Sequence, residues 1–328
     1  MRGAVRRRGV RTVTHGIHHV TAIAGDPQAN LDFYAGVLGL RLVKRTVNFD
    51  DPGAYHFYFG DGVGTPGTLL TFFPWPGAFR GRRGTGQVDV TAFAVPAGSL
   101  AAWSARLAAH GVAHEGAFER RGERVLAFED PDGLALELVE RTEAPAVEAW
   151  PGGPVDAAHA IRGVHAVTLR VARLAPTVAL LEGVMGWRAA GDDRGRRRFA
   201  ADHAGPGALL DVVETPDDPP GRMGAGVVHH VAFRVADDAE QAAARAALIA
   251  ERMRPTAVQD RNYFRSIYFR EPGGTLFEIA TDPPGMTVDE PPASLGASLR
   301  LPPWFEPHRA EIERRLPPIT PPGAGAPA

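Results

Sequence analysis

Three residues of this 328-residue chain have the types expected of a metal site: His19, His230 and Glu278. Imidazole and carboxylate groups bind divalent transition metals, and the chain has no cysteine that could supply a thiolate instead. Two histidines and one carboxylate leave further coordination positions open, as in non-haem iron(II) oxygenases. The three residues are far apart in sequence, so this chemistry depends on strands that bring them together.

Four segments of the chain begin with a similar strand pattern of β-branched and apolar residues. The opening segments are residues 16–25, 87–96, 163–172 and 227–236, and the closing segments are residues 66–73, 132–139, 206–213 and 273–280. A helical stretch and two short strands lie between each pair. In the first unit, Asp26 and Pro27 predict the helix start and Gly39 predicts its end. The sequence therefore predicts an α+β fold of four β-α-β-β-β modules.

The predicted boundaries follow these repeats. A Pro/Gly-rich linker at 144–160 separates an N-terminal domain from a C-terminal domain. The predicted segments are a basic tail (1–14), an N-terminal domain (15–143, with modules 15–80 and 85–142), a C-terminal domain (161–283, with modules 161–215 and 225–283) and a C-terminal extension and tail (284–328). We expect the basic tail to be loose. Residues 317–328 have too little apolar surface to order themselves.

Strand parity indicates which residues can face a common site, because side chains alternate between the two faces of a strand. In the fourth module, His229 shares the helix-packed face with Val231 and Phe233, and His230 points to the other face, as Glu278 does. Aligned on the repeats, the opening-strand position holds His19, Asp89, Ala166 and His230, and the closing-strand position holds Thr71, Glu137, Asp211 and Glu278.

This alignment predicts one metal site, formed by His19, His230 and Glu278. Modules two and three have no histidine at either position, so they are expected to form a degenerate site without metal. His165 aligns with His229 and shares a face with apolar residues, so it is expected not to bind metal.

The repeat pattern resembles the vicinal oxygen chelate superfamily, which includes glyoxalase, bleomycin-resistance proteins and extradiol dioxygenases. The resemblance covers about residues 15–283 and implies two domains with cup-shaped mixed sheets. Several segments resemble the ring-cleaving dioxygenases that open hydroquinones: His18-His19-Val20-Thr21, residues 42–51 (LVKRTVNFDD), 55–68, 263–281 and 294–319. In that group the ligands come from the first and fourth modules. Ala166 argues against the catechol extradiol arrangement, which uses the third and fourth.

The resemblance implies an Fe(II)-dependent extradiol-type dioxygenase that cleaves the ring of a hydroquinone, or of a catechol, with O2. Mn(II) is an alternative metal for the same ligands. The resemblance also implies catalytic roles for Tyr268 and His229, and substrate binding by His18 and Arg261. Parity places His229 on the core face, so the two lines of reasoning disagree there. The sequence is equally consistent with Tyr268 being a buried aromatic residue without a catalytic role, and with Arg261 being a solvent-exposed charge on a loop.

Two other functions remain open. A glyoxalase-like metal-dependent isomerase or thiol transferase would take a fourth protein ligand, which Thr71 does not supply. A non-catalytic protein that binds aromatic drugs would use the cup without a metal.

Composition restricts the partners. The chain has 36 Lys and Arg against 38 Asp and Glu, and this net charge of −2 predicts a small-molecule partner, with no nucleic acid and no membrane. No run of about 20 apolar residues is present, and the basic start lacks the apolar segment of a signal peptide. We therefore expect a cytoplasmic protein. The resemblance implies a homodimer or a higher homo-oligomer.

Overall fold

The computed structural model describes residues 14–142 and 147–320. Each of the four predicted modules contains a strand, a helix and three further strands. Module one comprises β1 (Ile17–Ala24), α1 (Pro27–Leu31, continued by a π-helical segment at Asp32–Val37), β2 (Arg41–Asn48), β3 (Asp51–Gly60) and β4 (Leu69–Pro74). Module two comprises β5 (Gln87–Pro96), α2 (Leu100–Ala109), β6 (Phe118–Arg120), β7 (Glu123–Glu129) and β8 (Ala135–Arg141).

The second half of the chain repeats this order. Module three comprises β9 (Val164–Val171), α3 (Leu174–Gly183), β10 (Arg188–Asp193), β11 (Arg196–Ala200) and β12 (Leu209–Glu214). Module four comprises β13 (Val227–Val235), α4 (Asp238–Ala250), β14 (Gln259–Asp260), β15 (Arg265–Arg270) and β16 (Leu276–Thr281). The C-terminal extension holds short 3-10 helices at Met286–Val288, Pro292–Ser294 and Glu306–His308, followed by α5 (Arg309–Arg315).

The predicted start and end of the first helix are confirmed. The Asp26 carboxylate accepts a hydrogen bond from the backbone N–H of Ala29 at 2.8 Å, and Pro27 occupies the first helical position, where its missing N–H costs nothing. Gly39 follows the helical segment with a φ of +70°, a conformation that glycine adopts without a steric penalty.

The described strands form two curled, mixed sheets of eight strands each, which confirms the predicted fold class. Their orders are β14-β15-β16-β13-β1-β4-β3-β2 and β10-β11-β12-β9-β5-β8-β7-β6. In the first sheet β1 and β13 run antiparallel at the centre, and β4 and β16 run parallel to them on either side. Modules one and four therefore share one sheet, and modules two and three share the other.

Each sheet thus joins one module from each side of the 144–160 linker. The predicted domain boundaries at that linker stay a prediction. In both sheets, hydrogen bonds join strands that lie on opposite sides of the linker in the chain.

The strand register corrects one position in the repeat alignment. Ala232 pairs with Glu278 on the neighbouring closing strand, and Ala92 pairs with Glu137 in the same way. His230 lies two residues before Ala232, and Val90 lies two residues before Ala92. Val90, not Asp89, is therefore equivalent to His230. The prediction for Asp89 is therefore wrong by one residue. Its carboxylate instead pairs with the Arg170 guanidinium at 2.8 Å.

The apolar face predicted for module four is confirmed. Phe233 and Phe277 are fully buried, and their ring centroids lie 4.7 Å apart. Ile279, on the same face as Phe277, is 1% exposed. Burying a side chain of this size contributes about 1.5–3 kcal/mol, so this face fixes which side of each strand turns to the site.

The ends of the described chain are held more firmly than expected. Thr14, the last residue of the predicted loose tail, is buried and hydrogen-bonds to the Met185 carbonyl, while the rest of that tail lies outside the described residues. At the other end, the Thr320 N–H donates to the Gln28 side chain at 2.7 Å, so residues 317–320 are placed against module one. In the described part of the chain, no helix combines the length and apolarity needed to cross a membrane.

Candidate metal centre

Side chains from three strands converge in the concave face of the first sheet. His19 lies on β1, His230 on β13 and Glu278 on β16, and all three are buried. Glu278 Oε2 is 2.8 Å from His230 Nε2 and 3.4 Å from His19 Nε2, and the two Nε2 atoms are 3.4 Å apart. Of the described residues, this is the one group with the composition and spacing to hold a metal ion.

The donor set fits a divalent cation. Oε2 of Glu278 is buried and has no hydrogen-bond partner in the described chain, although it lies close to both Nε2 atoms. Burial raises the pKa of the Glu278 carboxyl, but His19 and His230 outweigh burial and hold that pKa well below its usual range. Burial lowers the pKa of His230 despite the opposing contact with Glu278. At neutral pH the carboxylate is ionised and the His230 imidazole is neutral, as metal binding requires.

Two β-bulges position the histidine pairs beside this centre. The pairing of β1 with β13 skips His18 on one strand and His229 on the other. An extra residue of this kind re-aims a side chain that regular alternation would send to the opposite face. His18 Nδ1 consequently lies 2.9 Å from His19 Nδ1, and His229 Nδ1 lies 2.8 Å from His230 Nδ1.

The bulges resolve the disagreement over His229. The side chain is half-buried and lines the cavity, so its assignment to the core face by parity is wrong. Burial lowers the pKa of His229 to about 3, with the neighbouring His230 adding to the shift. His18 is instead fully buried behind His19, with its ring 5.0 Å from the ring of Phe264, and it does not line the cavity. The expected direct contact between His18 and a substrate is therefore not supported by its position.

A cavity of about 470 Å³ opens over the three converging residues. This volume suits a single aromatic ring with small substituents. Its wall combines aromatic and polar side chains. The aromatic and apolar lining residues are Phe49, Tyr58, Phe73, Trp75, Phe264, Tyr268 and Leu276. A larger groove of about 1710 Å³ lies beside α1 and β8, but it contains none of the three candidate ligands.

Tyr268 and Arg261 lie together on one side of this cavity. The Arg261 Nε donates to the Tyr268 hydroxyl at 3.2 Å, and the guanidinium also lies over the tyrosine ring. A second Arg261 nitrogen donates to Asp50 at 3.0 Å, which links module four to the β2–β3 turn. Burial raises the pKa of Tyr268, and the negative charge of Glu278 adds to this effect. The hydroxyl therefore remains protonated at neutral pH.

His56 also lines the cavity, and sequence reasoning did not identify it. Its Nε2 lies 3.0 Å from the Thr71 hydroxyl, which lies 2.8 Å from the Thr21 hydroxyl. The side chain sits within the aromatic run Ala54–Gly60 of β3, where residue types alone do not distinguish a site residue from a core residue. The signal that could have found it is parity, because His56 is two residues before Tyr58 and so shares its face.

The C-terminal extension supports the cavity from outside. Trp304 and Phe305 of the extension contact Phe49, which lines the cavity, at ring distances of 5.6 and 6.3 Å. The buried Lys44 ammonium pairs with the carboxylates of Asp289 and Glu290, so the extension is anchored to β2. The extension thus determines the position of one wall of the site.

The second sheet carries no comparable group of metal ligands within the described ranges. Its two acidic closing-strand residues are neutralised by arginines: Glu137 pairs with Arg120, and Asp211 accepts from Arg198 at 2.8 and 3.1 Å. Buried charges need partners, and these arginines supply them. The expectation that this sheet binds no metal stays a prediction.

His165 belongs to the same network. Its Nε2 lies 3.2 Å from the Glu123 carboxylate, which also accepts from Arg198 at 2.9 Å. Among the described residues, His165 is not part of a group with the spacing to hold a metal ion, and the prediction that it binds none stays a prediction.

Comparison with known families agrees with this architecture. The family model for the Glyoxalase/Bleomycin resistance protein/Dioxygenase superfamily matches residues 16–138 and 163–279. A crystal structure of a Bacillus subtilis protein described as a dioxygenase covers 94% of this chain and 98% of its own, with a TM-score of 0.90 and 49% sequence identity. Maize glyoxalase I has the same fold at 16% identity, with a TM-score of 0.62 over 81% of this chain and 92% of its own.

Curated relatives with related names extend over almost the whole chain. The Bacillus subtilis protein MhqO, named as a ring-cleaving dioxygenase, is 50% identical over 308 residues, which are 93% of this chain and 97% of the relative. A Sphingobium indicum protein named chlorohydroquinone/hydroquinone 1,2-dioxygenase is 36% identical over 309 residues, or 92% of this chain and 95% of the relative.

Proposed function

Because the chain belongs to the glyoxalase/bleomycin resistance protein/dioxygenase superfamily, we propose that it is a ring-cleaving dioxygenase that opens a hydroquinone with O2. The observation that carries this proposal is the convergence of His19, His230 and Glu278 on one point beneath a cavity of aromatic-ring size. Three protein ligands leave room for two further partners, and a ring-cleaving reaction needs two: the aromatic substrate and O2.

The proposed metal is Fe(II), with Mn(II) as the alternative for the same nitrogen and oxygen ligands. When bound, this metal lowers the pKa of a phenolic hydroxyl and provides a path for electrons from the ring to O2. The protein residues that would hold it are His19, His230 and Glu278. Ser266 supports this set by donating its hydroxyl proton to the other carboxylate oxygen of Glu278, which fixes the orientation of the ligand.

The histidine pair on β13 fixes the proton positions. With His230 Nε2 committed to a metal, its Nδ1 keeps the proton and donates to His229 Nδ1, since one member of that contact must accept. The proton of neutral His229 then lies on Nε2. We therefore propose that His229 donates a hydrogen bond from Nε2 to a substrate oxygen. By the same reasoning, His18 orients His19 and takes no part in binding the substrate.

Tyr268 and Arg261 are proposed to bind the oxygen of the substrate that is remote from the metal. A hydroquinone has its two hydroxyl groups on opposite sides of the ring, so only one of them can reach the metal. Tyr268 is protonated and lies beside the Arg261 guanidinium, so the pair offers a hydrogen-bond donor and a positive charge to a developing phenolate. In this role Tyr268 moves a proton while Arg261 stabilises the charge.

The other candidate functions receive no specific support. An isomerase or thiol transferase of the glyoxalase type would take a fourth protein ligand, and the Thr71 hydroxyl is occupied by Thr21 and His56. A metal-free drug-binding protein would not need two histidines and a glutamate converging in the interior, with Oε2 of Glu278 left without a hydrogen-bond partner in the described chain.

The proposal is tested by reconstituting the purified protein anaerobically with Fe(II), or separately with Mn(II), and measuring O2 uptake. The panel contains hydroquinone, chlorohydroquinone, methylhydroquinone and catechol, together with the hemithioacetal of methylglyoxal and glutathione. Metal-dependent O2 uptake with the hydroquinones supports the proposal. Uptake with catechol alone would identify catechols, not hydroquinones, as the substrate class. Conversion of the hemithioacetal without O2 uptake would replace the proposal with the isomerase function.

A further inference from the structure

The two modules of the first sheet carry equivalent residues on opposite sides of the metal centre. In module four, Tyr268 pairs with Glu278 across β15 and β16. In module one, Tyr58 pairs with Thr71 across β3 and β4. Thr71 therefore stands in module one where the carboxylate ligand stands in module four.

The residues beside this position also differ between the two modules. In module four the carboxylate is flanked by Ser266, whose hydroxyl donates to it. The equivalent residue of module one, two positions before Tyr58, is His56, whose Nε2 contacts the Thr71 hydroxyl at 3.0 Å.

The opening strands differ in the same way. Ala232 pairs with the carboxylate residue in module four, whereas Thr21 pairs with Thr71 and lies 2.8 Å from it, hydroxyl to hydroxyl. In module four, the small residue Ala232 lies beside the long side chain of Glu278. In module one, the larger residues Thr21 and His56 lie beside the short side chain of Thr71. The imidazole of His56 occupies volume that a glutamate side chain at position 71 would need.

The Thr71 group is firmly placed. Thr21 and Thr71 are fully buried and His56 is 8% exposed. The His56 ring is held between Tyr58 and Phe73, at centroid distances of 4.1 and 4.4 Å. Close contact with two aromatic rings restricts the His56 ring, so it does not readily move to admit a longer side chain at position 71.

We infer that His56, Thr71 and Thr21 are positioning residues that keep module one from supplying a fourth ligand, and that this exchange selects dioxygenase over isomerase chemistry. The inference rests on the proposed function, because it assumes that the substrate and O2 use the coordination position that a fourth protein ligand would otherwise fill. It makes a structural claim of its own: copying the module-four residues into module one should create a four-ligand site.

The experiment compares wild type with the double variant Thr71→Glu/His56→Ser, using Co(II) under anaerobic conditions as the probe. Affinity is measured by competition with a chelator, and coordination by the visible absorption of Co(II). We expect the double variant to bind Co(II) at least about tenfold more tightly, the lower end of the effect of residues that merely orient a ligand. Its Co(II) spectrum should differ from that of wild type, and O2 uptake should be lost.

The matched control is Thr71→Gln/His56→Ser, which has nearly the same shape but lacks the carboxylate charge. It should show neither the gain in affinity nor the spectral change. Thr71→Glu alone should also fail to gain affinity, because His56 still occupies the space.

A folded double variant with wild-type affinity and a wild-type spectrum would overturn the inference. If circular dichroism shows that it does not fold, Thr71→Ala/His56→Ser takes its place, with acetate supplying the carboxylate. Acetate should then change the Co(II) spectrum at a concentration at least about tenfold lower than in wild type, by the same criterion. The inference would be overturned if the variant and wild type needed the same acetate concentration for the spectral change. Failure of wild type to bind Co(II) through His19 would instead contradict the proposed function.

Discussion

Nδ1 of His229 lies 2.8 Å from Nδ1 of His230, although the two residues are consecutive in β13 and would point to opposite faces of a regular strand. The bulge at His229 makes this contact, and a matching bulge at His18 makes the contact with His19 on β1. Nδ1 of each proposed histidine ligand therefore contacts a second imidazole, which fixes the tautomer that leaves Nε2 free to bind a metal.

The three proposed ligands should be individually indispensable. We expect His19→Ala, His230→Ala and Glu278→Ala each to lower the affinity for Fe(II) by more than about 100-fold, beyond the usual effect of residues that only orient a ligand, and to abolish O2 uptake. Metal content after anaerobic reconstitution and gel filtration measures the first effect. His165→Ala is the control, because His165 contacts Glu123 in the other sheet, and it should retain its metal. Full iron in all three ligand variants would exclude this site.

His18 should contribute to metal affinity without contacting the metal. Removing its imidazole in His18→Ala leaves the Nδ1 proton of His19 without an acceptor, so we expect the affinity for Fe(II) to fall about 10- to 100-fold. His18→Asn, which can still offer an acceptor oxygen, should recover part of this loss. His15→Ala serves as the control, since that half-exposed side chain pairs with Glu240 outside the site. Unchanged affinity in His18→Ala would show that the pair has no orienting role.

Tyr268 should affect turnover and leave metal binding intact. Tyr268→Phe keeps the ring but removes the hydroxyl that lies beside Arg261, so we expect kcat to fall by about 10²–10⁴-fold, the usual contribution of a positioned acid or base. The stoichiometry of bound Fe(II) should not change. Tyr55→Phe is the matched control, because that hydroxyl donates to the Pro317 carbonyl and Tyr55 does not line the cavity. Equal kcat values in wild type and Tyr268→Phe would assign Tyr268 to packing.

Glu123 should make the stability of the second sheet depend on pH. Burial raises the pKa of its carboxyl, but His165 and Arg198 outweigh burial and bring the pKa to about 2 from an ordinary value of 4.5. A depressed pKa stabilises the folded state above about pH 4.5, and this contribution is lost as the pH falls through about 2. Because the carboxylate is only partly buried, solvent screening reduces the stabilisation that this shift implies to about 1 kcal/mol at neutral pH.

The measurement is urea denaturation of wild type and Glu123→Gln at pH 7, 4 and 3. At pH 7 the variant should have a free energy of unfolding lower by about 1 kcal/mol, and the difference should shrink below pH 4.5. Glu119→Gln is the control, since Glu119 is exposed on the neighbouring β6, and its effect should stay within about 0.5 kcal/mol. A difference that stays constant from pH 7 to pH 3 would contradict the assigned pKa.

Much of the architecture and the candidate ligand set could be predicted from the sequence, because both depend on regular periodicities. The four modules follow from repeated strand and helix patterns, and Phe277, Glu278 and Ile279 alternate as a regular strand requires. The bulges could not be predicted, because an inserted residue leaves no mark in a pattern of period two. This is why His229 was assigned to the core. The position of Asp89 has a different explanation: when the opening segments are aligned at their first residues, Val90 takes the position of His19 and His230.

The pairing of modules within each sheet also has no local signal. The linker near residue 150 suggests two halves, but the hydrogen-bonded contact between β1 and β13 joins segments more than 200 residues apart in the chain. His56 was missed for a related reason: its role depends on Thr71, which belongs to a different strand. Such long-range relationships are set by sheet register, which the sequence of either strand alone does not specify.

The most direct test of the central claim is the fate of the oxygen atoms when the Fe(II)-reconstituted protein turns over hydroquinone in ¹⁸O2. Mass spectrometry of the product should show a ring-opened acid that carries two ¹⁸O atoms, with one O2 consumed for each ring opened. The metal-free protein and Glu278→Ala should form none of it. Oxidation of hydroquinone to benzoquinone without incorporation of ¹⁸O, or no reaction by a protein that holds Fe(II) at His19, His230 and Glu278, would contradict the assignment as a ring-cleaving dioxygenase.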